Sequence, residues 1–209
     1  MNFRNLKDLA LSYSDRENDA ELIAKMDSFL LVTEARINRV LKVQKMSIRT
    51  QVLTVADQEY YGLPTDFAGL RDIEIRADDT SNNRTTLQYL SPEQMNDATK
   101  IMPSPVNPQI FYTIIANQLQ INPPQDGLLL ELVYYAKLTP LSTSDQTNWM
   151  SEDNPDVYLF GLMVEISSFI KNANGKQLWE ERFVTALAEI DRDDSKSRWS
   201  GTSLTINKG

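Results

Sequence analysis

The stretch "NPDVYLFGLMVEISSFI", Asn154 to Ile170, decides how the rest of the chain is read. From Val157 onward it is apolar on nearly every side, in a chain whose formal net charge is -8. Its start carries its own punctuation. Asn154 suits an N-cap, Pro155 the first helical position, and Asp156 the positive end of the helix dipole. The pattern predicts a helix to about Asn172, where "NANG" ends it. Glu165 and Ser167–Ser168 interrupt its middle, and no apolar run reaches the roughly 20 residues of a membrane span. Lipid is therefore not its partner, and an all-round apolar helix belongs inside a bundle.

Working outward, a second helix is expected from about Lys176 to Arg192, with Leu178, Trp179, Phe183, Leu187 and Ile190 on one side. The short link makes the two helices antiparallel neighbours. At the other end of the chain, residues 4–43 also read as helix, interrupted around Ser12–Asn18. Leu22, Met26, Phe29/Leu30, Thr33, Ile37 and Val40/Leu41 recur at three- and four-residue steps, one apolar stripe. Asn18 with Glu21 suggests the capped start. Lys25, Glu34, Arg36 and Arg39 fall on the opposite face, expected to be solvated or to meet a subunit.

Between these helical parts, from about Thr50 to Leu138, the period changes to two. "FYTIIANQLQI" reads as a hairpin turning at Ala116–Asn117, because Asn tolerates positive φ. "LLLELVYYAKL" has little polar relief on either face, the mark of a central strand. "SPEQMNDA" offers a turn or two of helix capped by Ser91, and prolines 103, 105, 108, 123 and 124 punctuate the strands. The expected class is α+β: an antiparallel helical bundle with an inserted small β domain of five or six strands. Residues 1–47 and 148–194 make the bundle, 48–147 the β insertion, and 195–209 an extended C-terminal arm.

The arm, "SKSRWSGTSLTINKG", has no acid after Asp194 and three cations, Lys196, Arg198 and Lys208, with Trp199, Leu204 and Ile206 set singly among them. It reads either as a frayed terminus or as a segment that orders on a partner.

Chemistry has few openings. The 209 residues include no histidine and no cysteine, which removes the usual general base, the commonest metal ligand, thiolate sites and disulfides. No glycine pattern fits a phosphate or dinucleotide loop, so no cofactor is expected. The acidic groupings Asp78–Asp79, Glu152–Asp153 and Asp191/Asp193–Asp194 sit in turns or at helix ends, where acids are solvated. The net negative charge opposes a nucleic-acid clamp, which needs a positive footprint, but not a surface that DNA slides past. Glu165 is expected to pair with an Arg or Lys of a neighbouring helix or to face a subunit boundary.

An ordered set of short signatures resembles the head-to-tail adaptor (connector, head-completion) proteins of tailed bacteriophages, in particular the short-tailed-phage adaptor type. They are "TEARINRVLKVQKM"; "YYGLPTDFAGLRDIEI" with Leu63, Pro64, Asp66 and Phe67; "FYTIIANQLQINPP"; and "LELVYYAKLTPLS". The last is "NWMSEDNPDVYLFGLMVEISSFI" with Asn148, Trp149, Pro155, Asp156, Tyr158, Gly161 and Glu165, followed by Trp179 and "ALAEI". Asn174–Gly175–Lys176 departs from the more acidic, Arg-containing link of the pattern. The resemblance implies a virion protein, made and assembled in the host cytoplasm, that forms a ring under the portal, of dodecameric size. Such a ring extends the DNA channel, helps retain the genome and docks tail components such as a nozzle, tube or fibre, while double-stranded DNA passes without specific binding. It also implies portal contact through the arm, with Lys196, Arg198, Trp199, Leu204, Ile206 and Lys208 as the candidates.

Trp149, Tyr158, Gly161 and Glu165 are candidates for subunit or inter-domain contact. Trp149 is expected to pin the β insertion to the bundle. Gly161 costs about 1 kcal/mol of helix propensity, which makes sense where another helix approaches closely. Two other classes fit the bare sequence: a virion-carried carboxylate glycoside hydrolase acting on cell wall, and a monomeric cytosolic binding module.

Overall fold

The computed structural model describes residues 1–80, 83–98 and 109–199. Its helices are α1 (Phe3–Tyr13), α2 (Ala20–Val40), α3 (Pro92–Ala98), α4 (Trp149–Asp153), α5 (Pro155–Phe169) and α6 (Ala173–Trp199). Its strands are β1 (Ser47–Leu53), β2 (Tyr60–Gly62), β3 (Phe67–Arg76), β4 (Arg84–Thr86), β5 (Gln88–Tyr89), β6 (Phe111–Ile115), β7 (Gln118–Asn122) and β8 (Leu129–Ala136). The class is α+β. The chain divides into two compact units: Ser47–Ala136, and Met1–Met46 together with the chain from Lys137 on.

In the helical unit α5 packs against α1, α2, α4 and α6, which accounts for its apolar circumference. Val157, Tyr158, Leu162 and Ile166 have no exposed surface. The helix ends three residues short of Asn172, and glycine has no part in ending it. Lys171 takes a φ of 57°; its N–H bonds the Ser168 carbonyl at 3.2 Å and the Asn172 N–H bonds the Ser167 carbonyl at 2.9 Å. This is a Schellman termination with lysine in the left-handed position. Asn172 then begins α6, its side chain accepting from the Gly175 N–H at 3.0 Å. Gly175 thus lies in the first turn of α6 rather than in a loop. The cap of α2 is likewise one residue later than its sequence suggests. Asp19, not Asn18, accepts from the Leu22 N–H.

Among the described residues, the second unit has eight strands in two four-stranded sheets, ordered β1-β8-β3-β4 and β2-β7-β6-β5. β8 lies between β1 and β3, so its even-numbered side chains Leu130, Leu132 and Tyr134 reach a core shared with Ile73, Ile75, Leu119 and Ile121. β6 and β7 form the hairpin with Ala116–Asn117 at its tip, but the positive φ, 54°, falls on Ala116. A single left-handed residue at the first turn position matches the twist of the flanking strands. Pro103, Pro105 and Pro108 lie outside the described residues.

Candidate interaction site in the helical unit

The segment after β8 is held to α2 by side chains spaced four residues apart. Asn38 accepts from the Leu138 N–H and Glu34 from the Leu141 N–H, each at 2.8 Å. Glu34 also receives the Tyr158 hydroxyl at 3.1 Å, and that oxygen accepts from the Asn148 amide at 2.8 Å. Asn148 caps α4 in a reciprocal capping box with Ser151 and donates to the Thr139 carbonyl. One buried chain of hydrogen bonds therefore joins α2, the return segment, α4 and α5. Burial raises the Glu34 carboxyl above its ordinary value, against the opposing pull of the Leu141 N–H and the Tyr158 hydroxyl. Burial, and then the Glu34 charge, also raise the Tyr158 phenol.

Glu34 is only 5% exposed, which corrects the solvated position expected of it. The sequence held a signal: Leu30, Glu34, Ile37 and Leu41 follow the three- and four-residue steps of the buried stripe itself. Asn148 carried a weaker one, since Asn three residues before Ser reads as a possible cap.

Tyr158 has no exposed surface, so the contacts it makes lie inside the helical unit. Gly161 is also buried, where α2 and α6 both approach. A Cβ there would overlap Thr33 Cγ2 and stand 3.1 Å from Phe183 Cε2. Thr33 cannot turn away freely, because its hydroxyl donates to the Phe29 carbonyl at 2.9 Å. Glu165 keeps partial exposure and lies 3.7 Å from Arg36 of α2, which also reaches Glu180 of α6 at 2.5 Å. Arg36 further caps the Phe183 ring, 4.7 Å from its centroid.

Trp149 is half-buried in a groove of about 280 Å³ lined by Val43, Ile190 and Asp194 among others, with the Lys45 ammonium over its ring. The last turns of α6 close this groove. Asp194 accepts from the Gln44 N–H at 2.7 Å and pairs with Arg198 at 2.5 Å, and Arg198 also bonds the Lys42 carbonyl at 3.3 Å. Lys196 pairs with Asp193. The helix thus continues through Ser195–Trp199, where an extended arm was expected to begin. Leu204, Ile206 and Lys208 lie outside the described residues.

The β unit explains the Leu63-Pro64-x-Asp66-Phe67 signature. The Phe67 N–H bonds the Pro64 carbonyl at 3.0 Å, closing a turn. Asp66 then accepts the Tyr134 hydroxyl at 3.0 Å, and Phe67 stacks on the Tyr134 ring at 5.7 Å. Burial, then Asp66, push the Tyr134 phenol up to about 12. The second signal missed in the sequence is Glu131, the one acid in the apolar strand β8. It is 1% exposed and lies under Arg76 at 2.8 Å, Arg49 at 3.1 Å and Arg84 at 3.6 Å.

At least one acid in each grouping has a basic partner: Asp79 pairs with Arg76, Asp153 with Lys45, Asp193 with Lys196 and Asp194 with Arg198. Among the described residues no group of three or more acids is arranged to hold a metal ion, and no helix is long and apolar enough to cross a membrane.

The buried polar groups of the helical unit staple α2, the return segment, α4 and α5 to one another. The profile of the SU10 adaptor protein family matches residues 1–206, and the chain belongs to that family, the head–tail adaptors of phages. No curated protein matches the chain. Membership places the chain at the head–tail junction of a virion and implies interaction with portal and tail components, in a family that is structural rather than catalytic.

Proposed function

We propose that the protein forms a dodecameric ring between the portal and the tail, extends the DNA channel, helps retain the packaged genome and docks tail components. The observation that carries this reading is the family match over 1–206, which spans both compact units and most of the C-terminal segment. The net charge of -8 suits a channel through which DNA slides without adhering. Portal contact falls to the C-terminal segment, through Lys196, Arg198, Trp199, Leu204, Ile206 and Lys208. Trp149 and Glu165, which keep partial exposure, serve contacts beyond the helical unit, whereas Tyr158 and Gly161 act by fixing α5.

The test is electron microscopy of the full chain mixed with its cognate portal. A twelve-fold ring on the portal is the expected result, and a chain that stays monomeric and leaves the portal bare overturns the reading. Removing residues 200–209 should weaken portal binding; undiminished binding would take that segment out of the interface.

A further inference from the structure

Two exposed faces of the helical unit have unpaired charge of opposite sign. The first is the outer side of α2, where Lys25, Val32 and Arg39 repeat every seven residues and so share one line, with Glu21 one turn ahead of Lys25 at the helix start. Val32, 43% exposed, is the apolar centre of this line between the two cations. Ala24, Ser28 and Ala35 on the same side are small, which leaves room for a close neighbour. Neither Lys25 nor Arg39 has a carboxylate partner among the described residues.

The second face is an open groove of about 380 Å³ between α5 and α6. Phe160 and Leu178, the latter 47% exposed, form its apolar floor and edge. Asp156, Glu181 and Glu189 form its rim. None of these three acids has an ion-pair partner among the described residues; the one cation of the groove, Arg182, lies over the Trp179 ring at 4.9 Å.

The faces share no residue and differ in charge, so neither is self-complementary. A contact between them is heterologous, and heterologous contacts repeat head to tail into closed rings or open filaments. We infer that the occupant of the α5–α6 groove is a second copy of this chain. Its α2 seats Val32 against Phe160 and Leu178 while Lys25 and Arg39 meet the acidic rim. An apolar centre with charged ends also fixes register, since sliding by one turn would set apolar side chains against acids. The inference rests on the ring reading and names the surfaces that would build the ring.

The chain has no cysteine, so introduced ones report without background. In the full chain assembled on its portal, the double variant V32C/L178C should oxidise to a ladder of covalent multimers, while V32C and L178C singly should stay monomeric. V32C linking to itself would overturn the inference in favour of a two-fold contact. Charge reversal supplies the second arm. K25E/R39E and E181K/E189K should each lower ring yield at least about ten-fold, and combining all four changes in one chain should restore it. Circular dichroism melts unchanged from wild type would show that the exposed substitutions leave the fold intact. Rings that form normally while the ladder is absent and both reversals are silent would overturn this interface and leave the ring reading standing. No ring from the wild-type chain would overturn both.

Discussion

The Tyr158 hydroxyl donates to Glu34 across 3.1 Å, linking two residues 124 positions apart, and both are buried. The same hydroxyl accepts from Asn148, so one oxygen ties α5 to α2 and to the cap of α4. Replacing Tyr158 with Phe leaves two buried polar groups without that partner. The expected cost is about 1 to 3 kcal/mol of stability, read by urea denaturation. A midpoint equal to wild type would show that the network contributes nothing to folding.

Glu34 itself predicts a pH dependence. Its carboxyl is raised in the folded chain, so the native state holds that proton more readily than the unfolded state does. The associated stability is present below the ordinary glutamate value and is lost as pH rises through the folded one. Glu34→Gln keeps an acceptor for the Leu141 N–H and cannot ionise. Thermal melts from about pH 4 to about pH 7 should show wild type losing stability relative to the variant as pH rises. The opposite slope would mean that the carboxylate is favoured in the fold.

Gly161 tests the approach of α2 to α5. Gly161→Ala gains about 1 kcal/mol of helix propensity but forces a methyl against Thr33, and overpacking of this kind costs about 1 to 3 kcal/mol. A net loss of about 1 kcal/mol or more is expected. Adding Thr33→Ser removes the Cγ2 methyl that the introduced methyl would meet and should recover most of it. A double variant no better than G161A would place the strain elsewhere.

Lys171 holds a left-handed conformation that glycine adopts without cost. Lys171→Gly should raise stability by about 0.5 to 1 kcal/mol, the side-chain penalty relieved less the extra chain entropy of glycine. Calorimetry on the two proteins decides it, and a lower melting temperature for the variant would contradict the Schellman assignment.

Glu131 is the matching case in the β unit. Glu131→Leu leaves Arg76, itself 8% exposed, without its buried carboxylate. Removing one partner of such a pair costs about 3 to 5 kcal/mol. A variant that unfolds at the wild-type urea concentration would show that Arg76 finds a substitute in Asp79, which already lies 2.7 Å away.

Local pattern determined much of this protein. The start of α5 at Pro155, the apolar circumference of α5, the stripe of α2 and the two-residue turn at Ala116–Asn117 all follow from periodicity and punctuation within a few residues, although the Asn154 side chain makes no capping bond. The central place of β8 follows too, because a strand apolar on both faces needs cover on both. The short signatures, taken in order, also pointed to the adaptor family. Which side of α2 receives Glu34 was settled by the return segment 138–148, whose backbone N–H groups need acceptors once they leave water. The run of α6 through to Trp199 has a similar origin. Contacts such as Asp194 with Gln44, 150 positions away, stabilise backbone that local propensity leaves undecided. Periodicity tells which residues share a face; only the chain that returns to lie on that face decides whether it is wet.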